Sequence, residues 1–177
     1  MTLVVRCFLL LLTVLSCTVL ARQEFELVLK DHLFFDDVWN LRSTLQSYGH
    51  DIEAAWLLQK CAEVIKHPSL IQQFKELAVP VTNAAIEGLD NDGGLWYEYE
   101  PSTDHLIKEK HSWPQAEAMI GFCNAYQLTG EQHYLQQSLK SWEFIKKHIK
   151  DETNGEWFWG VNNDYAAMQK EKAGFWK

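Results

Sequence analysis

The chain has 177 residues, of which 47% are hydrophobic and 13% aromatic, so it can bury a core as about one domain and is not typical of a disordered protein. Its formal net charge is −8, and its lysines and arginines form no cluster. Nucleic acids and anionic membrane surfaces both require a basic face, so neither is expected as a partner.

An apolar segment occupies residues 1–22, where Arg6 precedes an uncharged run from Cys7 to Leu20. This pattern is typical of the n-region and h-region of a signal peptide, and the run is short for a stable membrane span. A working signal predicts an exported or lipid-anchored protein, whereas the alternative is a remnant of an ordinary buried helix or a displaced gene start. Residues 23–177 are predicted to form the main domain.

The four cysteines, Cys7, Cys17, Cys61 and Cys123, include no CxxC spacing. Neither a zinc site nor a disulfide framework is therefore predicted. We expect Cys61 and Cys123 to be buried helix residues with free thiols.

A repeat begins after Arg22, because a shift of 61 residues places His50 over His111 and Asp90 over Asp151. The same shift aligns Ala62 with Cys123, Gly94 with Gly155, Trp96 with Trp157 and Tyr97 with Phe158. Internal periods of tens of residues indicate stacked supersecondary units. We therefore predict equivalent units in one common register.

Each unit is predicted to contain two helices and a short aromatic extended piece. In the first unit, apolar residues from Ile52 to Ile65 recur with helical spacing. A second helix follows to about Ile86, beginning at Ser69, where Ser69-x-x-Gln72 matches a capping box. The polar turn at residues 90–94 then leads into an extended piece at residues 95–99.

The second unit follows the same plan. Ser112-Trp113-Pro114-Gln115 again matches a capping box, and Thr129-Gly130 is the expected end of that helix. The next helix is predicted from Tyr134 to about Ile149, with an apolar stripe formed by Leu135, Leu139, Trp142 and Ile145.

Repeated helical hairpins of about 60 residues favour an all-α toroid in which neighbouring units bury each other's apolar faces. About two to three hairpins, with short aromatic β-hairpin pieces, fit into this chain. The sequence therefore predicts an incomplete α/α barrel.

Four segments contain family-like motifs at family-like spacing: residues 47–58 (SYGHDIEAAWLL), 110–118 (KHSWPQAEA), 154–160 (NGEWFWG) and 173–177 (AGFWK). In these motifs the chain resembles the cellobiose 2-epimerase branch of the N-acylglucosamine 2-epimerase family. The resemblance implies an (α/α)6 barrel that epimerises C2 of the reducing-end glucose or mannose of a β-1,4-linked disaccharide. It implies neither a metal nor a nucleotide cofactor, and a cytoplasmic location.

Epimerisation at C2 explains why histidines are expected. The proton on C2 must leave, giving an enediolate, and a proton must return on the other face, so two acid/base groups of near-neutral pKa are required. By resemblance, His50 is one of them. The other belongs to a Cys-Pro-Tyr-His segment that in the family follows Phe-Trp-Lys, beyond Lys177, so we expect little activity from this chain alone.

The resemblance also implies contacts with the sugar, each with a structural alternative. Glu53 would bind hydroxyls, although a carboxylate in a first helical turn also favours the helix dipole. Trp113 and Trp176 would stack on the disaccharide or else belong to the core, while His111 and Glu117 would face the cleft. His50 itself could be a capping or buried histidine. Ser112 and Pro114 depart from the family's Lys-His-Trp-Trp-Val-Gln-Ala-Glu, which puts one disaccharide subsite in doubt.

Three functions remain open from the sequence. The first is a sugar 2-epimerase, and the second is a non-catalytic sugar-binding or inactive remnant. The third is a glycoside hydrolase on the same barrel, which requires a separated carboxylate pair drawn from Asp51, Glu53 and Glu117. The sequence indicates no oligomeric state.

Overall fold

The computed structural model describes Asp37, Arg42 and residues 44–172. The predictions for residues 1–22 and for Trp176 lie outside the described residues. Within the part of the chain that is described, none of the helices combines the length and hydrophobicity that a membrane crossing requires.

Two helical hairpins make up most of the described chain. The helices are α1 Tyr48–Val64, α2 Pro68–Ile86, α3 Ser112–Thr129 and α4 Gln132–Phe144, and α4 continues into a π-helical turn at Ile145–Ile149. Short strands connect them: β1 Glu98–Glu100 pairs antiparallel with β2 His105–Ile107, and β3 Lys110–His111 pairs antiparallel with β4 Gly160–Val161. This arrangement agrees with the predicted hairpins and aromatic β pieces.

The core lies where α1 packs against both α2 and α3. Ile52 of α1 and Phe122 of α3 are fully buried there, together with Leu95 from the loop before β1. A Cβ atom at Gly121 would lie 2.5 Å from Cγ1 of Ile52, so glycine is what allows α1 and α3 to approach this closely. The two helices that bear the motif residues are therefore direct neighbours.

The capping box predicted at Ser69 is wrong. Helix α2 begins one residue earlier, at Pro68, and His67 is its N-cap, with Nδ1 accepting a hydrogen bond from the Leu70 N–H at 3.4 Å. Proline is favoured in the first helical turn because its missing N–H would have no intrahelical partner. The Ser69 hydroxyl lies 3.1 Å from the same imidazole nitrogen instead of capping the helix.

The capping box predicted at Ser112 is also wrong. The N-cap of α3 is His111 and not Ser112, and the Gln115 side chain bonds mainly to the loop that contains Leu95. Gln115 accepts from the Leu95 N–H at 2.7 Å and donates to the Leu95 carbonyl at 2.9 Å and the His111 carbonyl at 3.0 Å. The Gln115 amide bonds to this loop because the buried N–H and carbonyl of Leu95 would otherwise have no hydrogen-bond partner.

The apolar stripe predicted on α4 is wrong at Leu139 and Trp142, whereas Leu135 is half-buried and Ile145 is buried. Leu139 and Trp142 are 54% and 37% exposed, respectively, whereas Ser138 and Ser141 are buried. The Ser141 hydroxyl donates to the Gly93 carbonyl, and the Ser138 hydroxyl donates to the Met119 carbonyl. Small hydroxyl side chains satisfy neighbouring carbonyls at close range, which the spacing of apolar residues could not reveal.

The repeat is visible as two helical hairpins, but the single register of 61 residues is wrong. The N-caps Ser47 and His111 are 64 positions apart, as are the left-handed residues Lys66 and Gly130 after the inner helices. The bridges that follow, Leu89 with Leu95 and Lys150 with Trp157, are displaced by 61 and 62 positions. His50 therefore lies inside α1, His111 precedes α3, and the true counterpart of Glu53 is Glu117.

The turn before β1 is held by a buried lysine. The Lys110 ammonium lies 2.7 Å from Oδ2 of Asp90 and 2.7 Å from Oδ2 of Asp92, and its side chain is 5% exposed. Burial alone would raise the pKa of Asp90, but hydrogen bonds from Lys110 and the Asn91 N–H lower it below its ordinary value. The second unit repeats this arrangement with the Lys172 ammonium and the Asp151 carboxylate.

We expect Lys110→Met to lower the free energy of unfolding at pH 7 by about 1–3 kcal/mol, because it leaves two partly buried carboxylates without their cation. Since the folded-state pKa of Asp90 is depressed, its contribution is present above its ordinary pKa of 3.8 and is lost as pH falls through the folded value. The deficit should therefore shrink in urea titrations at pH 3. Lys146→Met, which removes an exposed ion pair with Glu143, is the matched control and should cost less than about 0.5 kcal/mol; equal losses would contradict the assignment.

Candidate functional site

The N-terminal turns of α1 and α3 lie side by side and bring the motif residues together. A Cβ atom at Gly49 would lie 2.6 Å from Cη2 of Trp113, so only glycine allows the indole to pack here. The Trp113 ring is in edge contact with the His50 ring, at 4.8 Å between centroids and 62° between planes. His50 and Trp113, which are 63 positions apart in the sequence, thus form one surface at the N-terminal ends of the two helices.

His50 lies in the first turn of α1 and does not cap it. The N-cap is Ser47, whose side chain makes no capping bond to the backbone. The Ser47 hydroxyl instead lies 2.8 Å from Nδ1 of His50, so a buried serine fixes one ring nitrogen and the direction of the imidazole. The capping alternative for His50 is therefore wrong, whereas its catalytic role stays a prediction.

Two carboxyl groups influence each other across the facing helices, and one of them belongs to the same helix turn as His50. Glu53 follows His50 by three residues on α1, and Glu117 occupies the equivalent position on α3. Burial, and after it the charge of Glu117, raises the pKa of Glu53 to about 7. Burial also raises the pKa of Glu117, although a hydrogen bond from the Trp56 N–H opposes that rise.

Trp56 was not predicted as a site residue. Its Nε1–H donates to Oε2 of Glu117 at 2.7 Å, across the contact between α1 and α3. Trp56 follows Glu53 by three positions, so the two residues share a helix face, and this spacing is the signal that could have identified it.

His111 is buried beside an aromatic stack. Its ring lies 3.9 Å from the Tyr97 ring and 6.5 Å from the Trp159 ring, and its Nε2 lies 3.0 Å from Oε2 of Glu109. Burial lowers the pKa of His111, although Glu109 opposes this. Tyr97 is in turn in edge contact with Trp113 at 6.5 Å, so it connects His111 to the surface around His50.

The structure therefore brings together four of the predicted residues, namely His50, Glu53, Trp113 and Glu117. Tyr97 contacts both His111 and Trp113 and so connects His111 to this group. Like Trp56, Tyr97 was not predicted as a site residue, because in the sequence it stood out only as the repeat partner of Phe158. Substrate binding by these residues stays a prediction. Trp96 and Trp157 pack against the core clusters.

Metal-binding side chains are not clustered here. Among residues 44–172, with Asp37 and Arg42, no group of three or more His, Cys, Asp or Glu side chains is arranged to hold a metal ion.

Cys61 and Cys123 have free thiols as predicted, but both side chains are half-buried instead of buried.

The sequence signature of the N-acylglucosamine 2-epimerase (GlcNAc 2-epimerase) family matches residues 17–177. The chain belongs to the N-acylglucosamine 2-epimerase family. The cellobiose 2-epimerase of Bacteroides fragilis is 42% identical over 146 residues, which is 82% of this chain and 37% of that protein. The cellobiose 2-epimerase of Ruminococcus albus is 37% identical over 147 residues, again 82% of this chain and 37% of that protein. The chain thus spans less than half the length of these family relatives.

Solved structures of family members have the same fold. A sugar epimerase from a ruminal bacterium matches with a TM-score of 0.77 and 35% identity over 84% of this chain and 39% of that one. The cellobiose 2-epimerase of Bacillus thermoamylovorans matches with a TM-score of 0.76 and 31% identity over 85% of this chain and 38% of that one. The predicted fold class, part of an α/α barrel of this enzyme family, is confirmed. A family 76 glycoside hydrolase from Bacteroides thetaiotaomicron shares the fold alone, at 19% identity and a TM-score of 0.54.

Proposed function

We propose that this chain provides one acid/base group and much of the sugar-binding surface of a 2-epimerase. The substrate is a β-1,4-linked disaccharide whose reducing-end glucose or mannose is inverted at C2. The observation that supports this best is that His50, Trp113 and two half-buried carboxyl groups lie in the N-terminal turns of two neighbouring helices. The 42% identity with a cellobiose 2-epimerase points to the same substrate class.

His50 would remove or return the proton on C2 of the open-chain sugar. The aldehyde at C1 acidifies that proton, and its removal gives an enediolate. Imidazole is suited to this step because its ordinary pKa lies near neutral pH. The Ser47 hydroxyl holds the ring in a fixed direction, which is what proton transfer to a defined carbon requires.

The neighbouring side chains would hold the sugar. Trp113 offers a flat apolar face of the kind on which the C–H face of a pyranose stacks, and its contacts with Gly49 and His50 fix the orientation of the indole. Glu53 and Glu117 offer oxygens for sugar hydroxyls. Burial raises the pKa of Glu53 to about 7, so this carboxyl group can donate as well as accept a hydrogen bond near neutral pH, and burial also raises the pKa of Glu117.

Epimerisation in deuterated water is the test. A chimera in which residues 27–177 replace the matching segment of the Bacteroides fragilis relative, incubated with cellobiose, should incorporate deuterium at C2 and form the mannose-containing epimer, as followed by NMR. Because the chain spans 37% of that relative, the chain alone should show little exchange.

The outcomes separate the alternatives. Cellobiose binding by the chimera without deuterium incorporation would favour the non-catalytic sugar-binding function. A properly folded chimera that neither binds cellobiose nor exchanges C2 would overturn the proposal. Hydrolysis of cellobiose to glucose would favour the glycoside hydrolase.

A further inference from the structure

The two site carboxyl groups differ in what stabilises their charge. Glu117 accepts a hydrogen bond of 2.7 Å from the Trp56 indole N–H, a neutral donor that comes from the opposite helix. Glu53 has no hydrogen-bond or ion-pair partner among residues 44–172, Asp37 and Arg42. A donor favours the ionised form of a carboxyl group, whereas burial without one favours the protonated form.

The two groups also influence each other. Helices α2 and α3 both pack against α1, and Glu117 on α3 is the charged group of the described residues whose field raises the pKa of Glu53. His50 precedes Glu53 by one turn on α1 itself. Two neighbouring carboxyl groups in a partly buried site do not readily ionise together, so one of them retains a proton to higher pH.

We propose that Trp56 is a positioning residue that anchors Glu117 in its ionised form and thereby leaves Glu53 as the carboxyl group that retains a proton. Helix α1 supplies both the anchor and the proton-bearing group, so one N–H···O bond from α1 favours the negative charge on Glu117 over Glu53. The raised pKa of Glu53, about 7, agrees with this assignment.

The assignment gives the carboxyl groups different tasks. A protonated Glu53 donates a hydrogen bond to a sugar oxygen one helical turn from His50, whereas ionised Glu117 only accepts hydrogen bonds from hydroxyls. The use of that proton in epimerisation rests on the function proposed above, but its location in the protein does not.

Carboxyl titration by NMR tests the location directly, on the 177-residue chain with ¹³C-labelled glutamate. Glu53→Gln and Glu117→Gln identify the two resonances. Glu53 should titrate with a midpoint near 7 and Glu117 at lower pH. Glu117→Gln should lower the Glu53 midpoint, yet leave it above 4.5, because burial remains the larger cause of the shift.

Trp56→Phe keeps an aromatic ring and removes the N–H donor, so the Glu117 midpoint should rise. Trp142→Phe, a change at an exposed tryptophan on α4, is the matched control and should move neither midpoint. A wild-type Glu117 that titrates at or above the pH of Glu53 would overturn the proposal. An unchanged Glu117 midpoint in folded Trp56→Phe would do the same, while leaving the proposed epimerase function untouched.

Discussion

Replacement of His50 by alanine should lower C2 epimerisation in the chimera by about 100- to 10,000-fold, the usual contribution of a positioned acid/base group. Cellobiose binding should change much less, because the stacking surface of Trp113 and the two carboxyl groups remain. Formation of the mannose-containing epimer, followed by NMR, measures the first effect, and calorimetric titration with cellobiose measures the second.

A two-base mechanism adds a sharper expectation for the same variant. With one base gone, the remaining group can still exchange the proton of one epimer without inverting it, so deuterium incorporation without epimer formation is expected from one of the two sugars. His133→Ala, at a half-exposed histidine on α4, is the control and should leave the rate unchanged. A His50→Ala chimera that still epimerises at the wild-type rate would remove His50 from the mechanism.

Local sequence patterns predicted those features of the fold and the site that depend on the residues of a single helix or turn. The helical hairpins follow from apolar spacing, and the left-handed Gly130 ends α3 where Thr129-Gly130 predicted it. His50 and Glu53 share a helix face because they are three residues apart, and the structure places them accordingly.

Features that depend on contacts between segments were not predictable in this way. Trp56 meets Glu117 across 61 residues, and Gln115 binds a loop 20 residues before it. The repeat register also changes from 64 to 61 between the inner helices and the following turns, so a single sequence shift paired His50 with His111 instead of Glu53 with Glu117. The first two are contacts between polar groups that are distant in the sequence, and the spacing of residues within one segment carries no information about them.

Gln115 should be one of the most sensitive positions for stability. Gln115→Leu removes three hydrogen bonds and leaves the N–H and carbonyl of Leu95 unpaired, in a residue that is fully buried. Each unsatisfied buried group costs about 1–3 kcal/mol, so the free energy of unfolding should fall by about 3–5 kcal/mol. Urea unfolding of the 177-residue chain, followed by circular dichroism, measures the loss.

The same substitution should disturb the site, because Leu95 begins the extended segment that positions Tyr97 against His111 and Trp113. Gln127→Leu, at an exposed glutamine on the same helix, is the matched control and should change stability by less than about 0.5 kcal/mol. Similar losses for the two variants would show that the amide of Gln115 does not hold the loop. A selective loss for Gln115→Leu would instead show that one buried side chain connects helix α3 to the loop that leads to the aromatic stack beside His111.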